Sequence, residues 1–241
     1  MNENLMKGNT VIKIGGSLLF TEKKEINSSR IAEFCRIFKN KKFTGKLVII
    51  CGGGLLAREY IDAVRSFNGS EALCDTFGIE ISRINSKLLI ASFQDFAYPL
   101  VPSSIEELSK ALLFKKVIVM GGLQPGQSTT SVALEVAEFI GAENVIILTD
   151  VEGIYDKDPK KFTEAKLLTH LNYDQLKELI LKRTNDKQAA AGEYRIFDTV
   201  SLQILKRSDI RVIVMSGKDL NNLSRFWDGE KDICGTLISK K

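Results

Sequence analysis

Short, nearly unbroken apolar runs alternate along the chain with longer stretches in which apolar residues recur every three or four positions. The runs are Thr10-Val-Ile-Lys-Ile14, Leu47-Val-Ile-Ile50, Val117-Ile-Val-Met120, Val145-Ile-Ile-Leu148 and Arg211-Val-Ile-Val-Met215. Runs this short, rich in β-branched residues and without polar alternation, predict parallel strands covered on both faces. Leu237-Ile238 predicts a last strand. Helical spacing follows Ser28 and Ser29, which can cap a helix to about Phe38, and recurs over 55–67, 71–96, 105–114, 131–140, 173–181 and 189–207. In the longest of these, Leu73, Phe77, Ile81, Ile84 and Leu88 form one continuous apolar stripe. Such strand–helix alternation predicts an open, mostly parallel α/β sheet. The polar stretch 182–188 reads as an exposed loop, and the basic stretch 39–46 as a solvated turn before the second strand.

Composition narrows the function classes. The 241 residues correspond to about 1.6 domains at roughly 150 residues each. One large α/β domain, or one domain in two lobes, is expected. Hydrophobic residues at 44% and charged residues at 27% are ordinary for a globular chain. No apolar run approaches the roughly 20 residues that span a bilayer, and the first residues carry no apolar h-region of a signal peptide. A net charge of +4 is too mild and dispersed to demand a nucleic-acid partner. The four cysteines, Cys35, Cys51, Cys74 and Cys234, form no CxxC pair, and His170 is the one histidine. A finger- or ribbon-type zinc site is therefore not expected. Cys35 and Cys51 lie in apolar runs and read as small core residues. Unpaired thiols point to a reducing cytoplasm. A histidine-based nucleophilic catalyst would have to use His170, which sits beside a helix start where a surface or capping role is expected.

The informative residues stand just past the carboxyl ends of the strands, where open α/β sheets bind ligands. Gly15-Gly16-Ser17 follows the first run, Gly52-Gly53-Gly54 the second, and Gly121-Gly122 the third. Bare backbone N–H groups at glycines can approach an anion, and the following helix N-terminus adds positive potential. A single Gly-Gly is also what any tight strand-to-helix turn looks like. Three, each ending a different strand, point to more than one phosphate, as for a nucleotide plus a phosphorylated acceptor. None matches the P-loop or the dinucleotide fingerprint. Lys13 interrupts an apolar strand two residues before such a loop, and a buried lysine without an anion is costly. A lysine that snorkels out at a strand end is the plainer alternative. Arg58 follows the triple glycine by one helical turn and can reach the same anion.

Taken together, Lys13-Ile-Gly-Gly-Ser-Leu18, Gly52-Gly-Gly-Leu-Leu-Ala-Arg58, Asp75-Thr-Phe-Gly-Ile79 with Ser82-Arg-Ile-Asn85, Gly121-Gly-Leu-Gln-Pro-Gly-Gln-Ser-Thr129, Thr149-Asp-Val-Glu-Gly-Ile-Tyr-Asp-Lys-Asp-Pro159 and Ala191-Gly-Glu-Tyr194 resemble the amino acid kinase superfamily. Within it they resemble the archaeal type of uridylate (UMP) kinase. The resemblance runs from Val11 to about Ile238. It implies a three-layer αβα sandwich with a mostly parallel central sheet, residues 1–241 forming a single domain with an N-terminal acceptor part and an ATP part at roughly 145–241. It implies transfer of the γ-phosphoryl group of ATP to UMP, giving UDP in pyrimidine nucleotide biosynthesis. Gly53 would contact the UMP phosphate, Asp75 its ribose, and Leu123, Gln124, Pro125, Gly126, Gln127, Ser128 and Thr129 its uracil and phosphate. Gly16, Ser17, Gly54 and Arg58 would line the ATP phosphates, and Thr149, Tyr155 and Asp158 would hold its base and ribose. Lys13 would sit at the transferred phosphoryl group, with Lys13 and Arg58 as the catalytic pair. No carboxylate cage for a metal is found, so Mg²⁺ would arrive with ATP, held mainly by phosphate oxygens. Relatives are usually homohexamers, trimers of dimers that pair through the helix at 71–96; core packing within the subunit could use the same apolar stripe.

This chain departs from the family pattern at Ser131, where many relatives carry Asp, at Asp198-Thr-Val-Ser201, where relatives read Asp-Pro-Leu-Ala, and at Thr149-Asp150, often Thr-Asn. Two other function classes fit the same fold. One is a sister small-molecule kinase acting on isopentenyl phosphate or an acyl phosphate precursor; the isopentenyl phosphate branch places a histidine in its acceptor site, and His170 is in the wrong place for it. The other is a non-catalytic relative that binds oxyanions or nucleotides, against which stands the retention of Lys13, Arg58 and the segment 149–158.

Overall fold

The apolar runs become strands of one sheet in the computed structural model, which describes residues 8–41, 43–159, 161–184, 196–230 and 234–240. In chain order the strands are β1 (Thr10–Ile14), β2 (Leu47–Cys51), β3 (Ile118–Met120), β4 (Asn144–Thr149), β5 (His170–Asn172), β6 (Arg211–Ser216) and β7 (Thr236–Ser239). They lie side by side as β3-β2-β1-β4-β6-β7-β5. Every neighbouring pair is parallel except β6 with β7. The helices are α1 (Ser28–Asn40), α2 (Gly54–Ser66), α3 (Glu71–Phe93), α4 (Ile105–Ala111), α5 (Thr129–Ile140), α6 (Tyr173–Thr184), α7 (Thr199–Ser208) and α8 (Leu220–Trp227).

The pleat assigns alternate strand residues to two cores. Val11, Val48, Ile50, Val145, Ile147, Val212 and Val214 pack beneath α4, α5, α6 and α7. Ile12, Ile14, Leu47, Ile49, Ile146, Leu148, Ile213 and Met215 pack beneath α1, the end of α3 and α8. The result is the expected three-layer αβα sandwich. Cys35 and Cys51 are buried in it, as expected of small core residues. The hairpin of α2 and α3 has its own small core of Ile61, Val64 and Cys74, and stands against the sheet edge that carries the glycine loops. No helix among the described residues is long and apolar enough to cross a membrane.

Several boundaries differ from the sequence reading, each for a local reason. The first helix is capped by Asn27, whose side chain accepts from Arg30 N, and not by Ser28 or Ser29. The long helix stops at Phe93 because Gln94 takes φ 56°, and a 3₁₀ turn covers 94–96. The fourth helix ends at Ala111, short of Phe114. The helix expected over 189–207 begins only at Thr199, where Asp198 and Ser201 form a capping box; residues 189–195, and with them Ala191-Gly-Glu-Tyr194, lie outside the described residues. The loop expected at 182–188 is helical through Thr184, and its remainder lies outside the described residues. Two elements were not legible. His170–Asn172 is a three-residue edge strand with two polar side chains; His170 is exposed, as expected, and its Nε2 lies 3.1 Å from Ser239 Oγ. Helix α8 is only eight residues long, yet it buries Leu220, Leu223, Phe226 and Trp227.

Candidate active site

Four parallel strands, β1 to β4, end at one rim, and the chain leaves each through a loop that lines a single open cleft of ≈ 340 Å³. Lys13 stands in its floor. It is the second residue of the row begun by Val11, flanked in register by Ile50 on β2 and Ile147 on β4. Burial among these neighbours pulls the Lys13 ammonium from 10.5 down to about 8, against the opposing pull of Cys51 and Asp150. Cys51, buried next to it, is pushed up to about 12 and stays a thiol. The lysine therefore carries a charge that the protein interior resists, at the point where a ligand phosphate can supply the missing counter-charge.

The first two glycine loops touch backbone to backbone. A Cβ on Gly16 would fall under 3.0 Å from Gly52 O and Gly54 N, and one on Gly54 would sit 2.5 Å from Gly16 C. Gly54 also has φ +70°, which L side chains rarely adopt. Glycine is required here for approach, not merely for a turn. Arg58, one turn into α2, lines the same cleft.

Helix α3 holds the loops from behind. Asn85 is 2% exposed and donates through Nδ2 to Gly52 O at 2.9 Å and Gly53 O at 3.1 Å. Ser82 Oγ accepts from Gly122 N at 2.7 Å, and Arg83 donates to Gly122 O at 3.1 Å and Leu123 O at 3.2 Å. Asp75 Oδ2 accepts from Gly126 N at 2.8 Å. Two loops from different strands thus hang on one helix.

The third loop feeds α5, whose N-cap is Ser128. Its first turn presents Thr129 and Thr130 to the cleft. Ser131 is fully buried, and its hydroxyl donates to both carboxylate oxygens of Asp198, at 2.8 and 3.0 Å. A carboxylate therefore reaches the lining from the N-cap of α7, held by the Ser131 hydroxyl. Removing that donor, as in Ser131→Ala, is expected to lower stability by about 1–2 kcal/mol. A urea midpoint unchanged from wild type would show that the pair contributes nothing.

Of the residues singled out in the sequence, Lys13, Gly16, Ser17, Gly53, Gly54, Arg58, Asp75, Gly126, Gln127, Ser128, Thr129 and Thr149 line this cleft together. Leu123, Gln124, Pro125, Tyr155 and Asp158 do not. The Leu123 side chain packs on the core beneath α5. Tyr155 lies in the long loop after β4, with its hydroxyl donating to Glu152 Oε2 at 2.9 Å. The Asp158 carbonyl accepts from Lys161 N and Phe162 N in the same loop.

A family model described as "Amino acid kinase family" matches residues 9–216, which include every strand of this rim. The chain belongs to the amino acid kinase family. A uridylate kinase from Methanobrevibacter smithii is 38% identical over 231 residues, 96% of this chain and 99% of the relative. One from Sulfolobus acidocaldarius is 40% identical over 193 residues, 80% of this chain and 83% of the relative. The crystal structure of uridylate kinase from Archaeoglobus fulgidus superposes with a TM-score of 0.79 at 34% identity, covering 95% of this chain and 99% of that one. A UMP kinase structure from Ureaplasma parvum shares the fold, with a TM-score of 0.75 at 20% identity.

The cleft is also lined by residues to which the sequence reading gave no site role, among them Gly78, Ile79, Ser82 and Asp198. One signal was available for Asp198: an Asp followed three residues later by Ser before an apolar helix is a capping pattern. For Ser82 and Asn85 no pattern announces the role, because both act on backbone atoms of distant loops.

Proposed function

We propose that this chain is a uridylate kinase that transfers the γ-phosphoryl group of ATP to UMP, giving UDP and ADP. The observation that carries the reading is one cleft in which Lys13, Arg58 and three glycine loops converge, in a chain similar to uridylate kinases over almost its whole length. Phosphoryl transfer spreads charge over the equatorial oxygens and requires positioning and positive charge more than covalent help. The attacking phosphate oxygen of UMP is already anionic, so no general base is needed. Lys13 would stabilise the transferred group, and Arg58 would clamp the ATP phosphates with Gly16, Ser17 and Gly54. Gly53 would hold the UMP phosphate, Asp75 its ribose, and the segment from Leu123 to Thr129 its uracil. Thr149, Tyr155 and Asp158 would hold the ATP base and ribose, within a C-terminal part at roughly 145–241.

Mg²⁺ belongs to this reading as the partner of ATP. Among the described residues no three His, Cys, Asp or Glu side chains converge, while Asp75 and Asp198 offer hard oxygens in the lining. That donor set suits an ion that keeps waters and phosphate oxygens as its main ligands, with Asp198 able to meet its shell. When bound, the ion would neutralise charge building on the phosphate oxygens. We also propose a cytoplasmic homohexamer built from dimers that pair along α3. In support, Leu73 and Ile84 on α3, with Tyr60 and Phe67 beside them on the hairpin, leave large apolar surface exposed.

The test is ADP release from Mg-ATP with UMP, CMP, dUMP, AMP, GMP and isopentenyl phosphate as acceptors. Turnover that strongly favours UMP is expected. Folded protein that binds ATP but turns over no acceptor would overturn the assignment. Arg58→Ala is expected to lower kcat by about 10²-fold. Asp75→Asn is expected to raise KM for UMP by about tenfold while leaving KM for ATP near wild type. Unchanged kinetics in both variants would discard this map of the cleft.

A further inference from the structure

Asn85 stands behind the second glycine loop and does not line the cleft. Its two amide hydrogens are spent on two successive carbonyls, Gly52 O and Gly53 O. In a trans peptide the N–H points opposite to the C=O of the same plane. Fixing those two carbonyls toward α3 therefore turns the Gly53 and Gly54 N–H groups away from the helix, and both glycines line the cleft. Neither N–H has a backbone acceptor among the described residues. The backbone there runs right-handed at Gly53 (φ −73°, ψ −32°) and then left-handed at Gly54 (φ +70°), the succession that makes consecutive N–H groups converge on an anion.

We propose that Asn85 is a positioning residue for phosphoryl transfer, holding the Gly53–Gly54 backbone as a preformed anion nest. The proposal rests on the kinase reading above and adds to it the residue that sets the nest's direction. Asn85 never touches the substrates. It acts by stopping the two peptide planes from rotating, so that the donors need no reorganisation when charge develops on the transferred group.

The experiment compares Asn85→Ala with Asn85→Asp. Alanine removes the two donors. Aspartate keeps the shape but sets an acceptor against two carbonyls. A residue that merely fills space would tolerate the isosteric aspartate better. The nest predicts the reverse: kcat with UMP falls by about 10²-fold in Asn85→Ala and further in Asn85→Asp, with smaller changes in KM. Protonating the new carboxyl restores one donor, so Asn85→Asp should regain activity as pH falls, whereas Asn85→Ala should not. That order with that pH response supports the proposal. Wild-type kcat in both variants overturns it, as does an equal loss in both with lowered melting temperature and no recovery at low pH. Should the wild-type chain phosphorylate no UMP, the functional reading falls, and calorimetric titration with Mg-ADP decides the nest separately. Binding about tenfold weaker in Asn85→Ala supports it, and equal affinity overturns it.

Discussion

Lys13→Met is expected to remove nearly all turnover while making the folded chain more stable. The two effects have one cause. Burial holds Lys13 at about 8 against an ordinary 10.5, so the native state binds its proton less tightly than the unfolded chain does. Below about pH 8 the lysine is charged in both states, and the folded protein bears the full cost of burying the ammonium. Between about 8 and 10.5 only the unfolded chain keeps the proton, and stability rises with pH as that cost is relieved. Methionine, of similar reach and no charge, has no such cost. Denaturant titrations should therefore find Lys13→Met more stable than wild type at pH 7, with the gap closing by about pH 10. A gap that stayed constant with pH would contradict this account. Activity should move the other way, falling by about 10³-fold or more, because the cation facing the transferred group is gone. In the wild-type enzyme kcat/KM for ATP should decline as pH rises through about 8, where free Lys13 loses its proton. A bound phosphate favours the ammonium, so the decline in kcat should lie at higher pH. Lys13→Arg should lack both alkaline limbs even if its turnover is lower.

Gly16→Ala should be nearly as damaging by a purely steric route. The added methyl would meet Gly52 O and Gly54 N, which are backbone atoms of a loop pinned by Asn85 from the other side. Flexible side chains can swing away from an intruding carbon, but these peptide groups cannot. One loop must move, and both carry donors of the proposed phosphate sites. A loss of about 1–3 kcal/mol in stability is expected from the overpacking, together with a drop of about 10²-fold or more in kcat/KM. Melting temperature and kinetics measured on the same preparation would test both. Wild-type values for each would mean that the two loops are not in contact in solution.

The strands were legible because β1, β2, β3, β4 and β6 are covered on both faces, so burial writes itself as an unbroken apolar run. Strand β5 and helix α8 escaped because each is short. His170 and Asn172 mark an edge position where only Leu171 turns inward, and α8 packs two turns of side chains without a long stripe. In the site, Lys13 was visible as a charge in an apolar strand, and the glycine loops by their place after strands. The supporting roles were not, although Ser82-Arg-Ile-Asn85 stood out as a segment and Ser131 and Asp198 as departures. Asn85, Ser82 and Arg83 bond backbone atoms 32 to 40 residues away, and Ser131 bonds Asp198 at a separation of 67. Sequence patterns record periodicity and local spacing, and a side chain holding a remote peptide group leaves neither.

The arrangement of the last strands has a consequence for how the chain is made. Among the described residues strand β5 finds its only strand neighbour in β7, and β7 runs against β6 to slot between them. Thr236 at the head of β7 also accepts from Ile154 N at 2.8 Å, tying down the loop that leaves β4. During synthesis from the N-terminus, β1 to β4 can pair as soon as they emerge. Segment 170–172 must wait through α6, α7, β6 and α8 before its partner exists. A growing chain therefore carries an open edge on β6 and an unpaired β5 until its final strand arrives, and that interval is when a chaperone would be most needed.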